Sequence, residues 1–286
     1  MTATDATGSG ASADSLHKLK PIAALPIAVV AIVLFTLSMV FLHGGTLNAD
    51  GFAAVQGWTR VLPDTAWAMV TICGTGVTAF GLLSPTLAWQ PRWMAAALAA
   101  AVLAGLYSRV LKHLVALPRP AAVLDSAHIH VIGETLRANS FPSGHAVTAF
   151  TLAAVLVLAS RKPLLTALWV VPLATLIAIS RIAVGAHWPA DIAVGAAGGW
   201  IAGALGVAIA ARWRVWNTPR GIRVIALVVV GIGVTLFAVD LGYPLAVPLQ
   251  YAIGALAVVA GSVALLRPRP DALLPCYPNR SQVKAS

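Results

Sequence analysis

Three short segments place polar and ionisable residues where their chemistry can cooperate. Lys112 to Pro120 reads KHLVALPRP, Pro142 to His145 reads PSGH, and Ser180 to Asp191 reads SRIAVGAHWPAD. Lys112, Arg119 and Arg181 are cations without a matching number of acids in the same segments. Held close together they would repel one another unless an anion lay among them. A phosphate suits, because arginine offers a planar fork to its oxygens and lysine adds a compact charge. Ser143 and Gly144 open an apolar run, so their backbone N–H groups can face the same anion from a helix N-terminus. Gly144 also permits close approach of that backbone. His187 and Asp191 are four apart and share a face if helical. The carboxylate then accepts a proton from one ring nitrogen and leaves the other lone pair for attack on phosphorus. His145 is a second imidazole, able as an imidazolium to protonate a leaving oxygen.

The elements that must position these residues are membrane helices. Hydrophobic residues make up 59% of the 286 and charged residues 10%, far below the roughly one quarter charged that is usual in soluble domains. The net charge of +10 does not point to nucleic acid, because the basic residues lie singly or in pairs between apolar runs and form no stripe. Eight apolar runs are candidate spans: 22–42, 66–88, 93–111, 146–160, 164–180, 189–211, 222–240 and 247–266. The fourth and fifth are short. Continuous apolar runs favour helices over the alternating strands of a barrel. Between the first two spans, Phe52, Val55, Trp58 and Leu62 recur at helical spacing and predict a short helix in the interface. Residues 1–20 read as a disordered lead, and 267–286 as a disordered tail. Cys73 and Cys276 lie in an apolar run and in that tail, so a disulfide between them is not expected.

With eight spans, thirteen of the 19 Lys and Arg residues fall on the side holding both termini. The other six, Arg60, Arg109, Lys112, Arg119, Arg137 and Arg181, fall on the opposite side. The termini are therefore expected in the cytoplasm and the three polar segments together on the outer face. Taken singly, Lys112 or Arg119 reads as an interfacial anchor, Ser143–Gly144 as an ordinary helix cap, and His187–Asp191 equally well as a structural hydrogen bond. Taken together, in order and on one face, the bland readings become jointly improbable.

In these residues the sequence resembles the type-2 phosphatidic acid phosphatases, which share a catalytic core with vanadium-dependent haloperoxidases and bacterial acid phosphatases. That family's pattern is Lys, six residues, Arg-Pro; then Pro-Ser-Gly-His; then Ser-Arg, five residues, His, three residues, Asp. It is matched by Lys112, Arg119, Pro120, Pro142, Ser143, Gly144, His145, Ser180, Arg181, His187 and Asp191. The resemblance implies His187 as nucleophile, Asp191 as its orienter and His145 as general acid. It also implies phosphate binding by Lys112, Arg119, Ser143, Gly144 and Arg181, with no metal or other cofactor. It implies an all-α, polytopic membrane bundle with a six-helix phosphatase core over 21–211. Residues 212–266 would then be two additional transmembrane helices of open role.

The activity to expect is hydrolysis of a membrane lipid phosphate or diphosphate through a phosphohistidine. Candidates are phosphatidate, phosphatidylglycerol phosphate, a polyprenyl diphosphate or the phosphates of lipid A, in a bacterial cytoplasmic membrane with the site on the periplasmic face. The nearest rival passes the same phosphohistidine to a lipid or sugar hydroxyl. A rival from another class is a non-enzymatic lipid-binding or transport protein, which would need the cations but not the His187–Asp191 dyad. His128 and His130, with His113 beside Lys112, could begin a zinc site, but no third ligand follows from spacing. Glu134 and Arg137 are candidate head-group contacts with no spacing rule behind them.

Overall fold

The computed structural model describes residues 21–44, 46–213 and 218–266, with side chains from Ala28 onward. The expected lead and tail, with Cys276, lie outside the described residues. The described residues form eleven α-helices: α1 (Pro21–His43), α2 (Leu47–Thr59), α3 (Asp64–Ile72), α4 (Gly76–Leu83), α5 (Pro91–Val115), α6 (Pro120–Val123), α7 (Gly144–Ala159), α8 (Pro163–Ala183), α9 (Pro189–Arg212), α10 (Pro219–Ala238) and α11 (Val247–Leu266). No strand occurs among the described residues. Five of the helical segments are long and apolar enough to cross a bilayer, and two bent pairs, α1–α2 and α3–α4, bring that to seven. Large side chains such as Leu164, Leu168, Trp169, Leu227 and Phe237 point outward, as expected where the surroundings are lipid tails rather than water. The protein is an all-α polytopic membrane protein.

One departure from the sequence expectation has a local cause. The span read as continuous over 66–88 breaks into α3 and α4 with a bend of 76°. Gly74 and Gly76 flank the break, and Thr75 caps α4 by accepting from Thr78 N. A Cβ on Gly74 would stand 3.0 Å from His145 Cδ2 and 2.7 Å from Ile177 Cγ2, so the bend lets α7 seat His145 against it. The apolar α7 has 16 residues, roughly 24 Å at helical rise, against a hydrocarbon core of about 30 Å. The expected interfacial helix is α2, turned 105° from α1; it buries Phe52 against the Trp188 ring at 5.3 Å and leaves Trp58 exposed.

α9 forms the centre of the bundle, against α1, α5 and α7. Gly195, Gly199 and Gly203 recur every fourth residue along the α9 face that meets the α7 backbone, at Ser143 O, Val147 O and Thr151 O. Without side chains there, the two backbones close in, and packing at short range replaces the hydrophobic drive that lipid does not supply. On the α5 side, Tyr107 donates its hydroxyl to Val194 O at 2.9 Å. The ends of α5 and α8 and the starts of α7 and α9 lie at one end of the bundle, joined by the contacts described next.

Candidate active site

The turn from α8 to α9 carries the dyad. Ala186 N and His187 N both donate to Arg181 O, at 2.9 and 3.2 Å. Gly185 takes φ +74°, and a Cβ there would stand 2.6 Å from His130 O. Only glycine adopts that conformation without strain. His187 is then fixed from both ring nitrogens. Nδ1 lies 3.2 Å from Asp191 Oδ2 and Nε2 lies 3.3 Å from Arg119 Nη1. A guanidinium has no acceptor, so Nε2 is the unprotonated nitrogen and Nδ1–H donates to the carboxylate. Burial pushes the His187 imidazole well below its ordinary pKa, and the charges of Arg119, Arg181 and Lys112 push it further. The ring is therefore neutral, with its lone pair at Nε2. Asp191 Oδ2 also accepts from Trp188 N at 2.9 Å and from the Ser140 hydroxyl. Ser140 had no signal in the sequence; it belongs to no motif and reaches Asp191 across 51 residues.

The cations surround this dyad in different ways. Arg119 is buried and donates to three carbonyls, Ala138 O at 2.7 Å, Ala186 O at 3.0 Å and Asn139 O at 3.3 Å. Lys112, in the last turn of α5, donates Nζ to the same Asn139 carbonyl at 2.8 Å. Asn139 sits at φ +54°, a left-handed conformation that asparagine tolerates better than most residues. Trp188 Nε1 donates to Pro118 O at 3.0 Å and ties the Arg119 segment to the dyad turn. Arg181 donates Nη1 to Thr71 Oγ1 at 2.7 Å and to Tyr243 Oη at 2.6 Å. Its Nε is buried and has no hydrogen-bond partner among the described residues.

Ser143 caps α7 by accepting from Ala146 N, while its own N–H donates to Asp191 O at 3.0 Å. From the expected Ser143–Gly144 pair, the Ser143 N–H is thus engaged. Gly144 and His145 are the first two helical residues of α7, so their N–H groups fall outside the intrahelical ladder. His145 Nε2 is buried without a hydrogen-bond partner among the described residues. It borders a cavity of about 440 Å³ that also touches Lys112, Gly144 and Ser108 and runs between α4, α5 and α7 past Ala101, Gly105 and Leu152. Its surface is mostly apolar, with Thr75, Thr148 and Thr151 also in the lining.

The remaining candidates border this cluster, and Arg119 N donates to Arg137 O at 3.0 Å. His130 Nε2 pairs with Asp64 Oδ1 at 2.9 Å, and no group of three His, Cys, Asp or Glu side chains occurs among the described residues. Arg137 donates to Ala121 O at 2.8 Å, and Glu134 N donates to Gly242 O at 3.2 Å.

The PAP2 superfamily model matches residues 92–218. Among solved structures, Aquifex aeolicus LpxE is similar at 28% identity and a TM-score of 0.50, over 57% of this chain and 95% of that one. A transmembrane PAP2 type phosphatidylglycerolphosphate phosphatase from Bacillus subtilis is similar at 19% identity and a TM-score of 0.45, over 63% of this chain and 94% of that one. No curated protein gives a significant match. Residues 92–218, which carry the Lys112-to-Asp191 signature, match the PAP2 superfamily, and the fold is similar to that of LpxE.

Proposed function

We propose that this protein is a membrane lipid phosphatase that works through a phosphohistidine at His187. The observation that carries the reading is the state of His187. Its Nδ1 lies against Asp191 and its Nε2 against Arg119, and the charges of Arg181 and Lys112 also act on the buried ring. A phosphoryl group among those cations has its charge neutralised while Nε2 attacks phosphorus. Asp191 stabilises the positive charge that grows on the imidazole. The P–O bond to the leaving group breaks as His145 gives that oxygen a proton. Water, deprotonated by the same His145, then attacks the phosphohistidine and releases inorganic phosphate. Lys112, Arg119, Arg181 and the Gly144 end of α7 bind the phosphoryl oxygens; Ser143 contributes by capping that end. Arg119 and Lys112 exchange carbonyl partners for phosphate oxygens when substrate binds.

The substrate class follows from the cavity on the His145 side. A leaving group protonated by His145 departs into the space between α4, α5 and α7, whose surface is mostly apolar. A lipid phosphate or diphosphate satisfies both ends, with its head group among the cations and its chains toward the bilayer. The mechanism requires no metal. The six-helix unit over 21–211 carries the site and 212–266 adds two helices. Counting the short α7 as an eighth span puts both termini on one side, and the excess of Lys and Arg there supports a periplasmic site in a bacterial inner membrane.

The test is phosphate release by purified protein in detergent with EDTA present. The panel is phosphatidate, phosphatidylglycerol phosphate, polyprenyl diphosphate and lipid A, for wild type and His187→Ala. Release by wild type that disappears in the variant supports the reading. Equal release by both proteins, or none from any lipid in the panel, overturns it.

A further inference from the structure

The two helices beyond the family-matched stretch reach the site. α10 and α11 form an antiparallel pair against α4 and the short turn at Ser84–Ala88. Gly233 and Gly254 bring their backbones together; a Cβ on Gly233 would stand 2.8 Å from Gly254 O. Gln250 Nε2 closes the pair by donating to Leu236 O and Val239 O, at 2.7 and 2.8 Å. The connection between them, residues 239–246, lies at the site end of the bundle. There Gly242 O accepts from Glu134 N. Gly133 packs so closely that a Cβ would stand 2.8 Å from the Tyr243 ring. Tyr243 is buried in one cluster with Trp67 and Ile72 of α3, Ile132, and Ala183, Val184 and Ala186 of the dyad turn.

The hydroxyl of Tyr243 ends at Arg181. Nη1 of a guanidinium carries two hydrogens, and Tyr243 Oη and Thr71 Oγ1 take one each, at 2.6 and 2.7 Å. The Tyr243 ring centroid lies 5.8 Å from Arg181 Cζ, within cation–π range. One edge of the guanidinium is thus pinned. The edge left is Nε with Nη2, the pair that grips a phosphate with two parallel hydrogen bonds, and Nε is buried with no partner among the described residues. An arginine held by carboxylates would have its charge offset before substrate arrived. Held by two neutral hydroxyls, Arg181 keeps its charge and its orientation.

We propose that Tyr243 is a positioning residue: the α10–α11 pair completes the phosphate site by fixing Arg181 through the Tyr243 hydroxyl. This rests on the reading above that Arg181 binds the phosphoryl group. It gives the additional helices a function, as a brace that enters the site from outside the family-matched residues 92–218.

The test is a double-mutant cycle on the full chain in detergent, using the lipid phosphate that wild type hydrolyses fastest. The proteins are wild type, Tyr243→Phe, Arg181→Lys and the double variant. Phenylalanine keeps the ring and removes the hydroxyl. A lost hydrogen bond to a charged group predicts about a tenfold fall in kcat/KM for Tyr243→Phe. It also predicts a similar rise in the inhibition constant of orthovanadate, with the unfolding temperature unchanged. In the Arg181→Lys background the same change should cost less than about twofold, because lysine has no fork to orient. Wild-type kcat/KM in Tyr243→Phe, or the same loss in both backgrounds, overturns the proposal. Should Tyr243→Phe unfold early, Thr71→Val against Arg181→Lys tests the other hydroxyl on the same Nη1, with the same two outcomes. A wild type with no phosphatase activity overturns the phosphatase reading, and this inference with it. An active wild type impaired by Arg181→Lys but indifferent to Tyr243→Phe overturns the inference alone.

Discussion

The two histidines of this site sit in opposite kinds of surroundings. Both nitrogens of His187 have close polar neighbours, and its carboxylate partner accepts from Ser140 and Trp188 N as well. His145 has a buried Nε2 with no partner among the described residues, and it borders an apolar cavity. The difference follows the work each ring is proposed to do. A nucleophile must present one lone pair in one direction before substrate arrives, and several fixed hydrogen bonds provide that preorganisation. A general acid finds its partner only in the leaving oxygen, so a standing hydrogen bond elsewhere would have to be broken during the reaction. The protein saturates the hydrogen bonds of one histidine and leaves the other without a partner among the described residues.

The largest effect should come from breaking the saturated side. His187→Ala removes the atom that attacks, and kcat/KM should fall on the order of 10⁴-fold or more whatever the leaving group. Assays with a lipid phosphate and with p-nitrophenyl phosphate should show the same loss; a variant that keeps a tenth of wild-type activity on either would refute the assignment.

His145→Ala separates the two sides more finely. A lipid alcohol is a poor leaving group and needs its proton, so lipid phosphate hydrolysis should slow by about 10²- to 10⁴-fold. p-Nitrophenolate leaves without help, and its release should slow by less than about tenfold. Equal losses on both substrates would mean that His145 does not act on the leaving oxygen.

A smaller effect is expected in the cavity beyond His145. Gly105 faces it, and a Cβ added there would meet nothing within 4 Å, so Gly105→Leu can fill the space without disturbing the bundle. Displacing about two methylenes of a bound chain costs roughly 1.6 kcal/mol, or about tenfold. KM for a long-chain lipid phosphate should rise by about that factor, and hydrolysis of a short soluble phosphate should stay within about twofold. An unchanged KM for the long chain would move the lipid to another face of the protein.

The smallest effect is a null one, read by pH. Burial and three cations lower the His187 pKa well below the ordinary imidazole value, so the ring should stay neutral as pH falls from about 7.5 to about 6, where a free histidine becomes mostly protonated. Nitrogen NMR of histidine-labelled protein, with the signal assigned by its loss in His187→Ala, should show Nε2 unprotonated and Nδ1 protonated across that range. Titration of His187 near the ordinary imidazole value of about 6.5 would show that it is not shielded as the geometry requires.

By itself the sequence determined the membrane architecture and which polar segments meet at one end of the bundle. Apolar runs long enough to cross a bilayer can satisfy their backbone there only as helices, and alternation of spans sends residues 112–145 and 181–188 to one side. His187 and Asp191 pair as their spacing suggested, but not on one helical face: His187 precedes α9, and Asp191, in its first turn, reaches back to it. Contacts between distant segments were decided only by the tertiary structure. Ser140 on Asp191, Thr71 and Tyr243 on Arg181, and the Asn139 carbonyl shared by Lys112 and Arg119 follow no spacing rule. Tyr243 is 62 residues from Arg181, in a connection that reads as an ordinary turn between spans. The Ser143 N–H teaches the same lesson. Its position before a helix suggested an anion, but the glycine face of α9 brings α7 so close that the Asp191 carbonyl takes that donor instead. Residue type and local spacing show which groups can react, while close packing of helices decides which of their hydrogen bonds are already taken.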